Sequence, residues 1–522
     1  MMKRLSLLFI FHFSLFTFHF SLLSSAGAQN PIIQTKYTAD PAPYVHGDTV
    51  YLFTSHDNGV RDGYDMTDWL LYTTTDMVNW TDHGAVASLQ DFGSWSGTLD
   101  NGAWAQQVVE RNGYWYMYCP IQLHGIAILR AESPYGPWKD ARKRQFINYD
   151  IRDIDPTVFI DDDGQAYLYW GNNGLWYAKL QEGMTNIVSG SRKEVPLTTE
   201  AFGGYKEKYT KADGTEDTRI VGDDCFEEGP WFYKRGGKYY LVYAAGGIPE
   251  HLSYSMSDSP TGPWTYKGRI MGAPEGSFTI HPGVIDYKGH SYMFYHSGQL
   301  PGGHGFKRSV CVEEFSYNED GTIPQIPFTK AGVEPVGTLN PYVRVEAETI
   351  AMSKGLETTK DDSRGIYVTG IDANDYVKVR AADFGSDGAA AVTVCVRGGT
   401  SAGRIELCID RSSDIVATID VAAGGDWTEL TAALSRTVTG LHDVLFYFRP
   451  ADSAQKNGLL HFDYWRFTDA KASAVREIAH TSPLAGRYYD VQGRPVDSIE
   501  KNCIEMGHCR SRDFSGTHRS PE

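Results

Sequence analysis

Cysteine is scarce in this chain, seven in 522 residues, too few for the dense disulfide framework of a small exported scaffold. Seven is odd, so at least one stays unpaired. Cys119, Cys225 and Cys311 lie far apart and read as small core residues. Cys395 and Cys408, in the successive strand-like runs VTVCVRGG and RIELCID, are the one pair placed to bridge, and strand register decides whether they do. Positive charge is also in deficit. The 48 Lys and Arg face 65 Asp and Glu, a formal net charge of -17, which repels nucleic acid and anionic membranes because phosphate binding needs clustered cations. Beyond the first thirty or so residues no stretch is apolar enough to cross a bilayer.

The opening MMKRLSLLFIFHFSLFTFHFSLLSSAGAQN differs from the rest. Lys3 and Arg4 precede a Phe/Leu-rich run that ends in Ala26-Gly27-Ala28, the pattern of an export signal cleaved after Ala28. An uncleaved anchor is the rival reading. No cysteine follows the site, which argues against a lipoprotein. The expectation is an exported, monomeric protein, periplasmic, cell-surface or extracellular, with no stable membrane span after cleavage. Aromatics are abundant by contrast: 12 Trp and 32 Tyr supply flat apolar faces with polar edges, which stack on sugar rings. An uncharged saccharide suits both this composition and the acidic balance.

A repeat organises residues 29–328. Five segments place a turn glycine before an aromatic strand: GDTVYLFTSHD from 47, NGYWYMYCPI from 112, DGQAYLYWGN from 163, GGKYYLVYAAG from 236 and KGHSYMFYHSG from 288. Their period of two predicts strands of a sheet covered on one face. A second echo, TTTDMVNWTDHG from 73, AESPYGPWKD from 131 and SDSPTGPWTYKG from 257, puts a polar turn before a tryptophan and suits an outer hairpin. Spacings of roughly 50 to 70 residues match one four-stranded blade with its loops. The fold class expected is all-β, a five-bladed β-propeller; an ordinary sandwich is the alternative.

Counting back from each turn glycine to the head of the preceding strand gives Asp40, Trp104, Asp155, Glu228 and His281. Residues at one phase of a propeller repeat converge on one end of its channel, so three carboxylates meet there. Buried like charges raise the pKa of at least one of them. Glycoside hydrolysis needs that combination, one protonated acid for the leaving oxygen and one ionised carboxylate to activate water or attack the sugar. Asp161, Asp162 and Asp163 precede Gly164 and read as a solvated turn. Glu227 competes with Glu228, and strand alternation lets only one of them look into the channel.

These residues carry a resemblance. DPAP at 40, DIDPTVF at 153, FEEGPWFYK at 226 and HPG at 281 resemble glycoside hydrolase family 43, over residues 35 to about 325. The resemblance implies a five-bladed propeller and inverting hydrolysis, with Asp40 as general base, Asp155 as the residue that orients and tunes the acid, and Glu228 as general acid. It places Trp104 in the sugar pocket, although the chain reads WAQ where the family often has WAP, so Gln106 departs from the pattern. Arg308, in GFKRSVCVEE, matches a late arginine beside the sugar, with a surface charge as its alternative. His281 is either a buried channel histidine near the substrate or the neighbour of a calcium-like ion on the propeller axis.

After a Pro/Gly-punctuated linker, residues 329–342, the Tyr repeat stops. VRVEAETIA, GIYVTGIDANDYVKV, GGDWTELTAAL and LLHFDYWRF resemble a family 6 carbohydrate-binding module, a β-sandwich over residues 343–468. That resemblance implies a structural calcium held by Glu346, Glu348 and Asp463, since hard oxygen donors suit this ion, and a sugar clamp made by Tyr367 and Trp427. His461 stands where the family usually has an asparagine, which leaves a purely structural sandwich as the alternative. Residues 469–522 show no strand pattern after GRYYDVQGRPV and are expected to be disordered.

Together these readings describe an exported inverting hydrolase of plant cell-wall pentosans that needs no organic cofactor. Arabinofuranosidase action on arabinoxylan is the favoured activity, with β-xylosidase or endo-acting xylanase or arabinanase as alternatives. From another class, a non-catalytic glycan-binding propeller competes, but a lectin gains nothing from burying three acids.

Overall fold

The computed structural model describes residues 29–93, 95 and 100–471, with the backbone of Tyr488–Tyr489 and Pro495–Val496. The expected export signal and most of the expected disordered tail lie outside the described residues. The two short tail strands pair antiparallel. Among the described residues the regular structure is almost all strand, with single turns of helix at Leu89–Asp91 and Thr199–Phe202 and helical backbone at Ala470–Lys471, so the protein is all-β.

Each turn-glycine segment forms a hairpin. Thr38–His46 pairs with Thr49–His56, Gln107–Arg111 with Tyr114–Ile121, Thr157–Ile160 with Ala166–Trp170, Phe226–Arg235 with Lys238–Ala245, and Gly283–Tyr287 with His290–Ser297, all antiparallel. The tight turns demand left-handed backbone, as at Gly47 (φ 60°) and Gly289 (φ 84°), which glycine adopts without strain. Further strands extend the hairpins into five sheets in chain order, four of them with four strands of their own and the fifth with three. The turns before Trp80, Trp138 and Trp264 join third strands to fourth strands, the position expected for outer hairpins.

The first strands of successive sheets pack against one another in order, and Gly283–Tyr287 of the fifth returns to Thr38–His46 of the first. Cores therefore form between sheets. Leu168 and Trp170 of the third sheet join Tyr118 and Ile128 of the second, while Tyr167 and Tyr169 from the same strand join Phe232 and Tyr243 of the fourth. The aromatic strands are thus covered on both faces, not on one as their periodicity predicts, because each sheet has a neighbour on either side. That is why AYLYW is apolar or aromatic throughout and buried at every position. Asp161 also departs from the solvated turn expected for it: it accepts from Lys234 Nζ at 2.7 Å and Tyr239 Oη at 2.6 Å, tying the third sheet to the fourth.

From Val345 onward, two further antiparallel sheets enclose a separate apolar core built around Val394, Phe446, Phe462 and Trp465. Cys395 and Cys408 lie in different sheets of this part, and the five described cysteines are all free thiols. The described residues from Gln29 to Ala470 belong to one compact unit. At the junction Thr349–Ile350 pairs with Trp80–Ser88 and becomes the outermost strand of the first sheet. Asp82 sits there, 3% exposed, accepting from Lys36 Nζ at 2.8 Å, Thr358 Oγ1 at 2.6 Å and the Gly84 N–H at 2.6 Å.

Candidate active site

Backbone irregularity presents the three acids. Asp40 has φ 50° and Asp155 φ 53°, a left-handed conformation that non-glycine residues adopt only where the surroundings enforce it, typically at functional sites. Pairing slips around Asp40, between Ala39 and Ala42, and again on both sides of Glu228. Such bulges re-aim a side chain that a regular strand would leave in the sheet. Asp40, Asp155, Glu228, Trp104, His281 and Arg308 all line one cavity of about 240 Å³. The sequence-predicted set from the first part of the chain therefore converges. Glu227, the rival of Glu228, does not line the cavity.

Each acid has different company. Arg308, only 3% exposed, donates from Nη1 to Asp40 Oδ1 at 3.1 Å and from Nε and Nη2 to the two oxygens of Asp57, both at 2.9 Å. Burial pushes the Asp40 carboxyl up, but Arg308 and the polar groups around it outweigh this and hold it below the usual carboxylate range. The Asp40 N–H donates to His296 Nδ1 at 3.2 Å. The ring proton of His296 is therefore on Nε2, which donates to Thr279 O at 3.0 Å. Burial first, and then Arg308, drives the His296 pKa down to about 3, so this imidazole is neutral and its 3.5 Å approach to Asp40 Oδ1 is not an ion pair.

Asp155 and Glu228 have no cation bonded to them. Asp155 Oδ2 accepts the Gly229 N–H at 3.0 Å, and Glu228 Oε2 accepts from Asn172 Nδ2. Burial and the charges of Glu228 and Asp40 push Asp155 well up; burial likewise raises Glu228, with Asp40 adding to it. Glycine suits position 229: its φ is 56° and a Cβ would stand 3.1 Å from His281 Nδ1. Burial lowers the His281 pKa despite the nearby Asp40, which keeps the ring neutral. Trp104 donates no hydrogen bond from its buried Nε1, and the neighbouring Gln106 amide is also unpaired. One ionised carboxylate and two raised acids thus share a small cavity with an indole N–H that has no protein partner.

Sequence reasoning missed Asp57, Asn172, Glu250 and His296. Asp57, Asn172 and Glu250 sit on turns between second and third strands, which differ in length from sheet to sheet, and His296 near the end of a second strand. None carries a motif.

In the second part, Tyr367 and Trp427 come together with ring centroids 5.1 Å apart, but at 76°. They meet edge to face. Arg364 and Arg397 stack on the Trp427 ring at 4.6 and 5.1 Å, and His461 Nδ1 lies 2.9 Å from Thr369 Oγ1. Of the three expected calcium ligands, Glu346 is engaged by Arg344 at 2.7 and 2.8 Å. Glu348 Oε2 and Asp463 Oδ1 are buried acceptors with no hydrogen-bond donor, and burial raises Glu348 to about 9. Glu348 Oε2 fits a cation, whereas Glu346 is paired with Arg344 and Asp463 with Arg364 through Oδ2, and Arg344 Nη2 stands 3.6 Å from Asp463 Oδ1. Among the described residues no three His, Cys, Asp or Glu side chains cluster tightly enough to cage a metal.

Comparison with known proteins agrees with this geometry. The model of glycosyl hydrolases family 43 matches residues 28–323, and that of the family 6 carbohydrate binding module matches 346–469. An arabinoxylan arabinofuranohydrolase of Paenibacillus polymyxa is 29% identical over 531 residues, covering 91% of this chain and 80% of its own. Another, from Bacillus subtilis, is 30% identical over 498 residues, covering 85% and 93%. The crystal structure of a family 43 arabinoxylan arabinofuranohydrolase from Bacillus subtilis in complex with cellotetraose superposes with a TM-score of 0.70 at 28% identity, over 85% of this chain and 98% of that one. The family model spans more than half of the chain and its three acids face one cavity, so the protein belongs to glycosyl hydrolases family 43 and is a glycoside hydrolase.

Proposed function

We propose that the protein is an exported, inverting α-L-arabinofuranosidase that removes arabinose side chains from arabinoxylan. The five sheets are read as blades of a five-bladed propeller with the cavity at its hub, and the second part as a carbohydrate-binding β-sandwich. The observation that carries the reading is the divided charge state of the cavity: Asp40 is held ionised beside Arg308, while Glu228 is raised and has no cation bonded to it. Inverting hydrolysis requires that division, with Asp40 taking a proton from water and Glu228 giving one to the leaving oxygen. Asp155 accepts the Gly229 N–H next to the acid and so fixes the backbone that carries Glu228, without touching the leaving group.

Asp40 and Glu228 come from the first and fourth sheets, and neither has a second acid on its own strand facing the cavity, which favours a water between base and sugar over a direct nucleophile. The cavity, about 240 Å³, lies below the about 300–1,000 Å³ that accepts drug-sized ligands and suits a single sugar ring. The named relatives are arabinoxylan arabinofuranohydrolases, which supports arabinose as that ring. We also propose that Glu346, Glu348 and Asp463 belong to a structural calcium site, whose ion would take the place of the arginines paired with Glu346 and Asp463.

One experiment addresses sugar and stereochemistry together. Matched aryl α-L-arabinofuranoside and β-D-xyloside, and arabinoxylan, are hydrolysed while proton NMR is recorded before mutarotation. Arabinose is expected, appearing first as the inverted anomer. Release of xylose without arabinose overturns the substrate, and a retained anomer overturns the role of Asp40.

A further inference from the structure

Glu250 lies behind the cavity wall. It sits just before the third strand of the fourth sheet, His251–Ser257, and is 2% exposed. Its N–H donates to Phe278 O at 3.0 Å, and its Oε2 accepts the Ile280 N–H at 3.0 Å. Its carboxyl lies within hydrogen-bonding reach of that of Glu228. It therefore joins the acid to the 278–281 wall that ends in His281.

Two carboxyl groups in hydrogen-bond contact need a proton between them, because ionised carboxylates only accept. Glu228 already receives Asn172 on Oε2, and Glu250 receives only a backbone N–H, with no Lys or Arg bonded to it. We propose that Glu250 is a positioning residue for the general acid: it stays protonated at working pH and donates its O–H to Glu228. When Glu228 passes its proton to the glycosidic oxygen and the C–O bond breaks, the electron pair leaves with that oxygen and Glu228 becomes a carboxylate. The Glu250 hydrogen bond then strengthens on that new charge. Glu250 itself neither gains nor loses a proton.

The surroundings agree. Glu250 is faced by Glu228 and Glu227 from the first strand of its own sheet and by Tyr64 from the loop between the second and third strands of the first sheet. Glu228 is faced in addition by Asp40, Arg308 and Asp155. Burial, and then the negative charge of Glu228, pushes the Glu250 carboxyl well up, whereas hydrogen bonds from Asn172 and Glu250 restrain the rise of Glu228.

The inference rests on Glu228 being the general acid, and the test separates the two. Profiles of kcat/KM against pH are measured on arabinoxylan oligosaccharides for wild type, Glu250→Gln and Glu250→Leu. Glutamine keeps a donor, so its alkaline limb should stay in place. Leucine removes the donor, so the pKa of Glu228 rises, the alkaline limb moves up by about one pH unit and kcat falls roughly tenfold. A limb that moves down in both variants shows that Glu250 is ionised, and a limb unmoved in both shows a merely structural role; either overturns the proposal. Infrared difference spectra of wild type against Glu250→Gln near neutral pH provide a readout besides activity, even where the leucine variant does not fold. Loss of a protonated-carboxyl stretch is expected, and loss of a carboxylate stretch overturns the proposal. If Glu228→Gln proves equally slow on all leaving groups, the assignment of the acid fails instead, whatever Glu250 does.

Discussion

Replacing Asp40 by alanine is expected to lower turnover about 10²–10⁴-fold on every substrate, however reactive its leaving group. Replacing Glu228 by glutamine is expected to do the same only on natural glycosides. The difference follows from the two protons. Asp40 removes one from water, a step that no leaving group replaces. Glu228 supplies one to the departing oxygen, and an aryl group with a low pKa departs without it. Activated aryl arabinofuranosides should therefore restore much of the Glu228→Gln activity and almost none of the Asp40→Ala activity. The folds should survive, since glutamine has the shape of the protonated Glu228 it replaces and, without Asp40, Arg308 keeps its pairing with Asp57. Steady-state rates on a series of aryl leaving groups decide the matter, and equal rescue of both variants contradicts the assignment.

The second large effect is expected at Arg308. Arg308→Met fits the space but leaves Asp57, 1% exposed, and Asp40, 5% exposed, facing each other without their cation. Breaking a buried pair by removing one partner costs about 3–5 kcal/mol, so the denaturation midpoint should fall markedly at neutral pH. The sign with pH follows from Asp40. Its folded pKa lies below the ordinary value, so its contribution is present above the unfolded pKa and is lost as pH falls through the folded one. In Arg308→Met that contribution disappears, and the cost against wild type should shrink as the solution becomes acidic. The acid limb of the rate profile should move to higher pH as well, because the base loses the charge that keeps it ionised. Chemical denaturation and rate profiles across pH test both, and a midpoint unchanged at neutral pH refutes the account.

The three acids were legible because they are tied to a repeat: each precedes a hairpin whose turn glycine and aromatic strand recur, so phase alone groups them. Arg308 was legible only through resemblance. Asp57, His296, Asn172 and Glu250 were not, because the approach of the five first strands brings them in from segments with no common spacing. Strand periodicity also misled about burial. A pattern such as AYLYW looks like one covered face plus aromatic decoration, and only the neighbouring sheets show that Tyr167 and Tyr169 have a core of their own. Cys395 and Cys408 illustrate the same limit: thirteen positions apart, they enter opposite sheets, a fact that tertiary pairing sets.

The seam at Trp80–Ser88 has a bearing on how the chain can be divided. A strand at the rim of a sheet offers unpaired N–H and C=O groups to any passing chain, and proteins guard such rims. Here Thr349–Ile350 guards this one, although it belongs by sequence to the part that matches the family 6 carbohydrate binding module. Cutting the chain in the linker would bare that rim, strip Thr358 from the buried Asp82 carboxylate and leave a hydrolase half that invites edge-to-edge association. The appended module is thus also a cover for the catalytic sheet, and evolutionary or engineered loss of it would need a new guard, such as a lysine or proline placed within residues 80–88.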